Sequence, residues 1–326
     1  MSKDAIFTWS ELAFGDKKPV RSLKATFIMA PRTLSSARLK ELIKTYLPKG
    51  NIVIGVSQEP NVLGFEDQPQ FQMTDEASIT PLVDKINAAK MPHSIHILRY
   101  SQRDVTHVIE KLKFQSVVLV NGSWKHSFHT LPAFYSLVKT QTPYEYVSPF
   151  TDEAEARAYE KQTQPIISKV LDLPGTDGHY DESEMVDLAQ RAAKQSYDYA
   201  GQTGAALGQK DGKRYQLLGT GYNVVVPYQT FAMHFGASRE QYFSPPNDLN
   251  HYDTVHAEVQ IILTSLAAGR DLKGTTLFVT VLPCPVCSRV LVESGIREVV
   301  YQHDHSDGYA VRLLGKAGIN VRRLVG

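Results

Sequence analysis

Three side chains that can ligate a metal and one carboxylate occupy two short stretches of the C-terminal half. His256 and Glu258 lie in the stretch VHAE, and Cys284 and Cys287 lie in PCPVC. One imidazole and two thiolates give Zn²⁺ three protein ligands and leave a fourth tetrahedral position for water, as in catalytic zinc sites. Glu258 is not a ligand in this interpretation and can carry protons between water and a substrate. The pattern predicts hydrolytic chemistry at one zinc ion.

The spacing of the two cysteines suits a metal site at the start of a helix. They are three residues apart, so both sulfurs face the same way on a first helical turn. Pro283 precedes that turn, where a missing N–H costs little, and a helix N-terminus favours the thiolate. The alternative is a structural or redox cysteine pair with an incidental His256. The HxE stretch, the proline and the strand-like TLFVTV between them favour the catalytic site.

The histidine and the glutamate place a condition on their helix. His256 and Glu258 are two residues apart and would point to different sides in mid-helix. The site therefore predicts that His256 stands at the very start of a helix, with Asp253 and Thr254 as caps. An apolar stripe is expected to continue this helix, through Val259, Ile262, Leu263 and Leu266.

Composition and charge limit the class of protein. The chain has 326 residues, enough for two domains with buried cores. Its formal net charge of +1 provides no strong basic field, which counts against bulk binding of nucleic acid. The zinc motif uses both cysteines, and no apolar run is typical of a signal peptide or a membrane span. A protein of the reducing cytoplasm is expected.

Residues 1–150 predict a Rossmann-like α/β domain of unknown role. Short, almost wholly apolar strands alternate with amphipathic helices, which indicates a parallel sheet covered on both faces. The predicted strands are Ala25–Met29, Asn51–Val56, Ile95–Leu98 and Ser116–Val120, and the predicted helices start at Ser35 or Ser36, at Ser78 and at Asp104.

The segment after the fourth predicted strand holds side chains suited to a ligand. Ligands of parallel sheets bind beyond the C-terminal ends of the strands, and Trp124, Lys125, His126 and His129 fall there. They suggest a pocket for an anionic or aromatic molecule, although the chain has no glycine-rich phosphate motif. The alternatives are ordinary loop residues, or a degenerate nucleotide-binding domain that serves as a regulator or an assembly surface.

A linker helix and a turn-rich stretch at residues 151–180 are expected to lead into a second domain, residues 181–326. There, strands and helices alternate around a mixed sheet. The predicted elements include a helix at Glu182–Ala200, a hairpin of Ala205–Gly208 and Tyr215–Gly219 with its turn at Gln209–Gly212, and strands at Thr275–Val281, Glu298–Tyr301 and Ile319–Leu324.

This second domain resembles the zinc-dependent cytidine deaminase superfamily, from about Met185 to the C-terminus. The matching text is GTGYN at 219–223, VHAEVQIIL at 255–263, GTTLFVTVLPCPVC at 274–287 and GIREVVYQHDHSDGYAVRLLGKAGINV at 295–321. The zinc motif is specific for the superfamily, whereas GYN and the AGI segment point to the deoxycytidylate (dCMP) deaminases. The resemblance covers a little under half of the chain and implies a cytidine deaminase-like α/β/α fold.

The resemblance also implies substrate contacts. Asn223 would hydrogen-bond the sugar, Tyr301 would line the pocket, and backbone groups at Ala257 and Pro283 would read the pyrimidine edge. The alternatives are a turn residue for Asn223 and a half-buried strand aromatic for Tyr301.

A loop closing over the nucleotide is implied for residues 224–250. Arg239 is the best phosphate clamp there, with His234 and Tyr242 as further candidates and a solvated loop as the alternative. Some dCMP deaminases hold a second, structural zinc with cysteine in this region. The segment contains no cysteine, so one catalytic Zn²⁺ alone is expected.

The expected reaction is hydrolytic deamination. Activated water attacks C4 of cytosine, Glu258 shuttles protons, and uracil and ammonia result. The best predicted substrate is dCMP, giving dUMP, in a homo-oligomer with a further nucleotide on its N-terminal domain. The alternatives are a nucleoside, another nucleotide, or a cytosine or adenine base in RNA or DNA, including tRNA.

Two hypotheses from other classes stay open. One is a regulatory nucleotide-binding protein with a zinc-stabilised deaminase-like module, against which an intact Glu258 argues. The other is a bifunctional enzyme whose first domain makes or binds a nucleotide.

Overall fold

The structure is a computed structural model that describes residues 6–14, 24–89, 91–245, 248 and 250–324. It divides into two compact units: residues up to 161 with 230–252, and residues 162–229 with those from 253 onward. The domain boundaries expected near 150 and 181 stay predictions. The expectation that the chain has no apolar leader was based on residues 1–18. Of these, residues 1–5 and 15–18 lie outside the described residues.

Within the ranges given above, no helix combines the length and the apolar character needed to cross a bilayer.

A six-stranded sheet, parallel throughout, forms the centre of the first unit. The strands are β1 (Ile6–Thr8), β2 (Ala25–Met29), β3 (Asn51–Ser57), β4 (Ile95–Tyr100), β5 (Ser116–Val120) and β6 (Tyr144–Val147), in the order β1-β4-β3-β2-β5-β6. The four predicted strands are confirmed. Both edge strands were missed, because they are short and lack the apolar run of the central ones.

Helices cover both faces of this sheet. They are α1 (Trp9–Phe14), α2 (Ser36–Tyr46), α3 (Glu76–Ala88), α4 (Val105–Leu112) and α5 (Pro132–Thr140). Apolar residues of α2 and α3 pack with Ile28, Ile54 and Val118 on one face. On the other face, Phe114 at the end of α4 stacks on Phe27 with ring centroids 4.4 Å apart. From β2 the chain continues to β3 and β4 on one side and then crosses to β5 and β6 on the other, so the sheet has a topological switch point between β2 and β5. The Rossmann-like label stays a prediction.

The second unit is built on a mixed six-stranded sheet. The remaining strands of the chain are β7 (His179–Tyr180), β8 (Gly204–Asp211), β9 (Arg214–Tyr222), β10 (Val224–Val225), β11 (Thr254–Val255), β12 (Thr276–Val281), β13 (Glu298–His303) and β14 (Asn320–Arg323). The sheet order is β14-β13-β12-β8-β9-β7, with β12 to β14 parallel and the others antiparallel, while β10 and β11 pair separately. The predicted mixed sheet is confirmed.

Further helices follow in the described residues, and several of them give the second sheet a layer on each face. They are α6 (Glu153–Leu171), α7 (Glu182–Ala193), α8 (Phe231–Phe235), α9 (Ser238–Gln241), α10 (Ala257–Ala267), α11 (Pro285–Ser294) and α12 (Tyr309–Lys316); α6 has residues in both units, and α8 and α9 belong to the first. Met185 and Leu188 of α7 pack with Phe278 on one face. Residues of α10, α11 and α12 pack with Leu277 and Val279 on the other.

Two predicted boundaries in this unit are wrong. The helix expected to reach Ala200 ends at Ala193, ahead of turns that include backbone bonds to Asp198. The hairpin turn lies at Gly212 and Lys213, because Asp211 already pairs with Arg214. Gly212 has a φ of +59°, a conformation that favours glycine in a two-residue hairpin loop.

Gly204 fixes how closely strand β8 approaches helix α7. A Cβ at this position would lie 1.9 Å from the carbonyl oxygen of Ala189 and 2.5 Å from the amide nitrogen of Ala193. The amide of Gly204 also donates to Oγ1 of Thr280 on β12, at 3.1 Å. Since β12 leads into Cys284, this close approach helps to set the position of the cysteine helix.

We therefore expect Gly204→Ala to lower the free energy of unfolding by about 3 kcal/mol or more, because the added methyl meets backbone that cannot rotate away. Urea unfolding followed by circular dichroism measures the change. Gly175→Ala is the matched control, because a Cβ there has no atom within 4 Å. A Gly204→Ala protein with the midpoint of the wild type would contradict this packing.

Candidate metal centre

Two helix starts bring one nitrogen and two sulfurs together. His256 is the extended N-cap residue of α10, and Cys284 is the extended N-cap residue of α11, whose third residue is Cys287. Nδ1 of His256 lies 3.5 Å from Sγ of Cys284 and 3.3 Å from Sγ of Cys287. Among the residues that the structure describes, these three make up a group that could hold a metal ion.

The distances match those that a tetrahedral zinc site requires. Bonds of about 2.3 Å to sulfur and about 2.0 Å to nitrogen, at the tetrahedral angle, separate a nitrogen and a sulfur ligand by about 3.5 Å. The observed 3.3 and 3.5 Å are close to this value. The donor set of one imidazole and two thiols is also one that zinc prefers. The residues therefore fit a zinc ion bound through Nδ1 and both sulfurs.

The helix start at α11 prepares the cysteines as ligands. The amide of Cys287 donates to Sγ of Cys284 at 3.5 Å, so the sulfur acts as the helix cap. A hydrogen bond from the side chain of Cys287, assisted by His256, lowers the pKa of Cys284 to about 4. The same bond, together with burial, raises the pKa of Cys287. One thiolate is thus present at neutral pH, and a cation would favour the second.

Negative charge surrounds the imidazole. Burial lowers the pKa of His256, but the hydrogen bond to Cys284 and the charges of Glu258, Cys284 and Asp198 outweigh it, so the pKa is raised overall. The environment therefore favours positive charge at this point. A divalent cation would be stabilised by the same groups.

Glu258 is a buried carboxyl group in the first turn of α10. It is 3% exposed, and burial raises its pKa above the ordinary value for glutamate. Its side chain is in hydrogen-bonding contact with Cys287. A carboxyl group with a raised pKa beside the metal ligands can both accept and return a proton near neutral pH.

Comparison with known proteins agrees with this geometry. A family model described as the cytidine and deoxycytidylate deaminase zinc-binding region matches residues 179–303. Mouse deoxycytidylate deaminase is 30% identical over 146 residues, which covers 42% of this chain and 75% of the mouse protein. The chain belongs to the cytidine and deoxycytidylate deaminase family. The predicted resemblance is confirmed.

Two further matches cover similar shares of the chain. Deoxycytidylate deaminase of Pongo abelii is 29% identical over 148 residues, covering 42% of this chain and 76% of that protein. Among solved structures, the dCMP deaminase from the cyanophage S-TIM5 in apo form is 21% identical and covers 44% of this chain and 95% of its own, with a TM-score of 0.32.

The helix that carries the HxE motif starts at His256 as predicted, but its cap residue and its buried face differ from the prediction. Thr254 pairs with Val225 in β11, and His256 itself is the N-cap residue, so neither Asp253 nor Thr254 occupies the N-cap position of α10. The buried positions of α10 are Ala257, Glu258, Ile261, Ile262 and Ser265. Leu263 and Leu266 of the expected stripe are 56% and 57% exposed. The inward-facing Glu258 sets the rotation of the helix and turns these leucines outward.

Asn223 lies in the second unit, where its side chain joins two loops. Its amide nitrogen donates to the carbonyl of Gly201 at 2.8 Å and to Asp198 at 3.1 Å, and its oxygen accepts from the amide of Thr203 at 2.8 Å. Both N–H groups are therefore in use within the protein. A bond to a substrate sugar would have to exchange one of them, and the role stays a prediction.

The other predicted substrate contacts of the second unit lie close to the ligands in sequence or in the core. Ala257 is buried and follows His256, and Pro283 is buried and precedes Cys284. Tyr301 is 7% exposed in the core cluster of β13, where burial and a hydrogen bond with Asp304 raise its pKa. Their roles toward a substrate stay predictions.

Arg239 belongs to the first unit. Its guanidinium donates to the carbonyls of His251 at 3.1 Å and Asp248 at 3.0 Å. These bonds fix the conformation of the surrounding loop. Its proposed role as a phosphate clamp stays a prediction.

Two residues that support the site were missed in the sequence. Asp198 accepts bonds from the amides of Ala200 and Gly201 in an Asx turn, and its charge acts on His256. The pattern Asp-x-x-Gly is a turn signal that could have marked it. Ser288 is fully buried and donates to the carbonyl of Cys284 at 2.8 Å, which holds the first turn of α11.

We expect Cys287→Ala to abolish stoichiometric zinc binding, because two remaining ligands cannot complete a tetrahedral site. Metal analysis of the purified protein should find about one zinc per wild-type chain. Val286→Ala removes an exposed apolar side chain of the same helical turn and should retain the zinc. Full zinc occupancy in Cys287→Ala would show that the metal lies elsewhere.

Proposed function

We propose that the chain is a zinc-dependent hydrolytic deaminase of a cytosine nucleotide and that it converts dCMP to dUMP and ammonia. The observation that carries the proposal is the group formed by Nδ1 of His256 and two cysteine sulfurs, with the buried Glu258 in contact with Cys287. Membership of the cytidine and deoxycytidylate deaminase family and the relatives named deoxycytidylate deaminase support it.

The residues of the centre divide the chemistry between them. Zinc held by His256, Cys284 and Cys287 would supply the Lewis acid that makes a water molecule acidic near neutral pH. Glu258, with its raised pKa, accepts one proton from this water. Its burial excludes bulk water from the carboxylate, so the proton stays available for the substrate.

The protons and bonds balance with Glu258 as the only carrier. The water oxygen forms a bond to C4 of cytosine, and Glu258 delivers the first proton to the ring nitrogen N3. The second water proton then passes through Glu258 to the amino group. The bond from C4 to this nitrogen breaks, and uracil and ammonia are released.

The relatives and the charge of the chain support the proposed substrate class. A formal net charge of +1 provides little attraction for a polynucleotide, which favours a mononucleotide over RNA or DNA. A homo-oligomeric assembly and a cytoplasmic location remain parts of the proposal.

For the proton carrier, we expect Glu258→Gln to bind zinc normally and to lose at least about a thousandfold in kcat, because the amide cannot accept the proton. Ammonia release and metal content are measured on the same preparation. Glu293→Gln changes an exposed glutamate of α11 and should leave both unchanged. Turnover retained by Glu258→Gln would assign the proton transfer to another group.

For the substrate, we expect ammonia from dCMP with a kcat/KM at least about a hundredfold above that for deoxycytidine, because the phosphate adds charge-assisted contacts. Cytidine, CMP, dCTP, tRNA and single-stranded DNA complete the panel, with Glu258→Gln protein as the blank. Release from tRNA or single-stranded DNA, with none from the mononucleotides, would overturn the proposed substrate class while leaving the deaminase chemistry in place.

A further inference from the structure

Residues 230–252, of which the structure describes 230–245, 248 and 250–252, are called the arm below. They follow a segment of the second unit but belong to the first. Their two ends are held together in the second unit, where β10 pairs with β11 and the amide of Val226 donates to the carbonyl of Asp253. The arm therefore ends at Tyr252, shortly before the ligand His256 in the sequence. Residues 253–255 therefore connect the arm to the ligand His256.

The arm is anchored in the first unit by a buried carboxylate. Glu240 of the arm is 3% exposed and accepts bonds from the indole Nε1–H of Trp124 and, at 3.0 Å, from the amide of Phe128. His129 and the carbonyl of Ser244 make a further contact at 2.9 Å. All of these partners follow β5 in the chain, so the arm packs where the strands of the parallel sheet end.

A second anchor fills the switch point between β2 and β5. Arg32, which follows β2, is fully buried, donates to the carbonyl of Gly122 at 3.0 Å and contacts the sulfur of Met233 in the arm. Its guanidinium also lies over the ring of Phe71, at 4.4 Å. The place where a doubly wound sheet would bind a ligand is thus partly taken by a protein side chain.

Beside this anchor, a cavity of about 360 Å³ remains at the same end of the sheet. It is large enough for a nucleotide-sized ligand. Its buried aromatic lining consists of Tyr100 at the end of β4 and of Trp124 and Phe128 after β5. Room for the Tyr100 ring comes from Gly55, where a Cβ would lie 2.8 Å from the ring. Flat apolar walls of this kind suit a planar ring.

The rest of the lining favours negative charge. Arg103, Lys125 and His126 contribute to the wall, as do the first turns of α4 and α5, whose N–H groups carry partial positive charge. None of the cavity's lining residues, all of them in the described part of the chain, is acidic. The carboxylate of Glu66 interacts with the charges of Lys125 and Arg103 and accepts a hydrogen bond from the amide of Gly64.

We propose that this cavity binds a nucleoside phosphate, with its base against Trp124 and Phe128 and its phosphate toward Arg103 and Lys125. Trp124 both lines the cavity and donates to Glu240, so the bound ligand stabilises the docked arm. The proposal does not depend on deamination, since binding and arm order are measured without turnover.

The structure also corrects the pocket expected from the sequence. Trp124, Lys125 and His126 line the cavity as predicted. His129 does not line it and contacts the arm through Ser244 instead.

Tryptophan fluorescence can test the site directly, because the sequence contains only Trp9 and Trp124. In Trp9→Phe protein, the signal reports on Trp124 alone. We expect AMP or ATP to quench it saturably, with adenosine and inorganic phosphate at least about tenfold weaker, since each supplies one half of the contacts. If neither these nor GTP, dTTP and dCTP change the signal, the proposal is overturned.

Variants in the same background locate the ligand. Thr106→Phe places a ring in the cavity from the partly exposed first turn of α4 and should abolish quenching. Lys125→Gln should weaken binding by at least about fivefold through loss of a charged contact. Lys139→Gln, at the far end of α5 and outside the lining, should bind as the parent does. Unchanged affinity in Thr106→Phe would place the ligand elsewhere.

Hydrogen exchange measures the effect on the arm. With saturating nucleotide, amides of residues 230–252 should exchange at least about fivefold more slowly in the parent protein. Glu240→Gln should still bind the nucleotide but lose this protection, because the amide accepts more weakly than the carboxylate. Equal exchange with and without bound nucleotide in the parent would overturn the link to the arm.

Discussion

The convergence of one imidazole nitrogen with two thiol sulfurs is the constraint on which the second unit depends. It exists because two helices begin at the ligands themselves. His256 and Cys284 are both extended N-cap residues, so their side chains leave the helix axis at the start of α10 and α11. In mid-helix the same residue spacings would scatter the donor atoms. The parallel strands β12 and β13 and the close contact of Gly204 with α7 hold the cysteine helix in place.

Burial of charge links this geometry to reactivity. Glu258, Cys284 and Cys287 are almost inaccessible to solvent, and Asp198 adds negative charge near His256. Gathering so many acidic groups in a buried place is unfavourable unless a cation or shared protons compensate. The raised pKa of Glu258 and the divergent pKa values of the two thiols show this compensation through protons. A zinc ion would provide it through a fixed charge and would leave the carboxyl group free to move protons.

The sequence predicted what depends on local spacing and missed what depends on distant contacts. The ligand positions, the helix start at His256, the central strands and the mixed sheet all follow from patterns of a few residues. The rotation of α10 about its axis does not follow from such a pattern. Glu258 is buried, and this orientation of the helix exposes Leu263 and Leu266 despite their apolar side chains. The bonds of Asn223 to Asp198, Gly201 and Thr203 arise from loops about twenty residues away. No periodicity in the segment could reveal them.

The arm is the clearest case of structure set by distant partners. As an isolated sequence, residues 230–252 look like a solvated loop. Only their length and Glu240 suggest that the segment packs against another part of the protein. A long excursion costs little extra entropy when its ends are already paired, as β10 and β11 are. A buried carboxylate, in contrast, is unfavourable without hydrogen-bond donors. Glu240 therefore requires the indole of Trp124 and the amide of Phe128, which both follow β5. The requirement is mutual, because Trp124 would otherwise bury an N–H without an acceptor. A segment that precedes the metal ligand in the chain is therefore anchored, through the buried carboxylate of Glu240, at the strand ends of the parallel sheet.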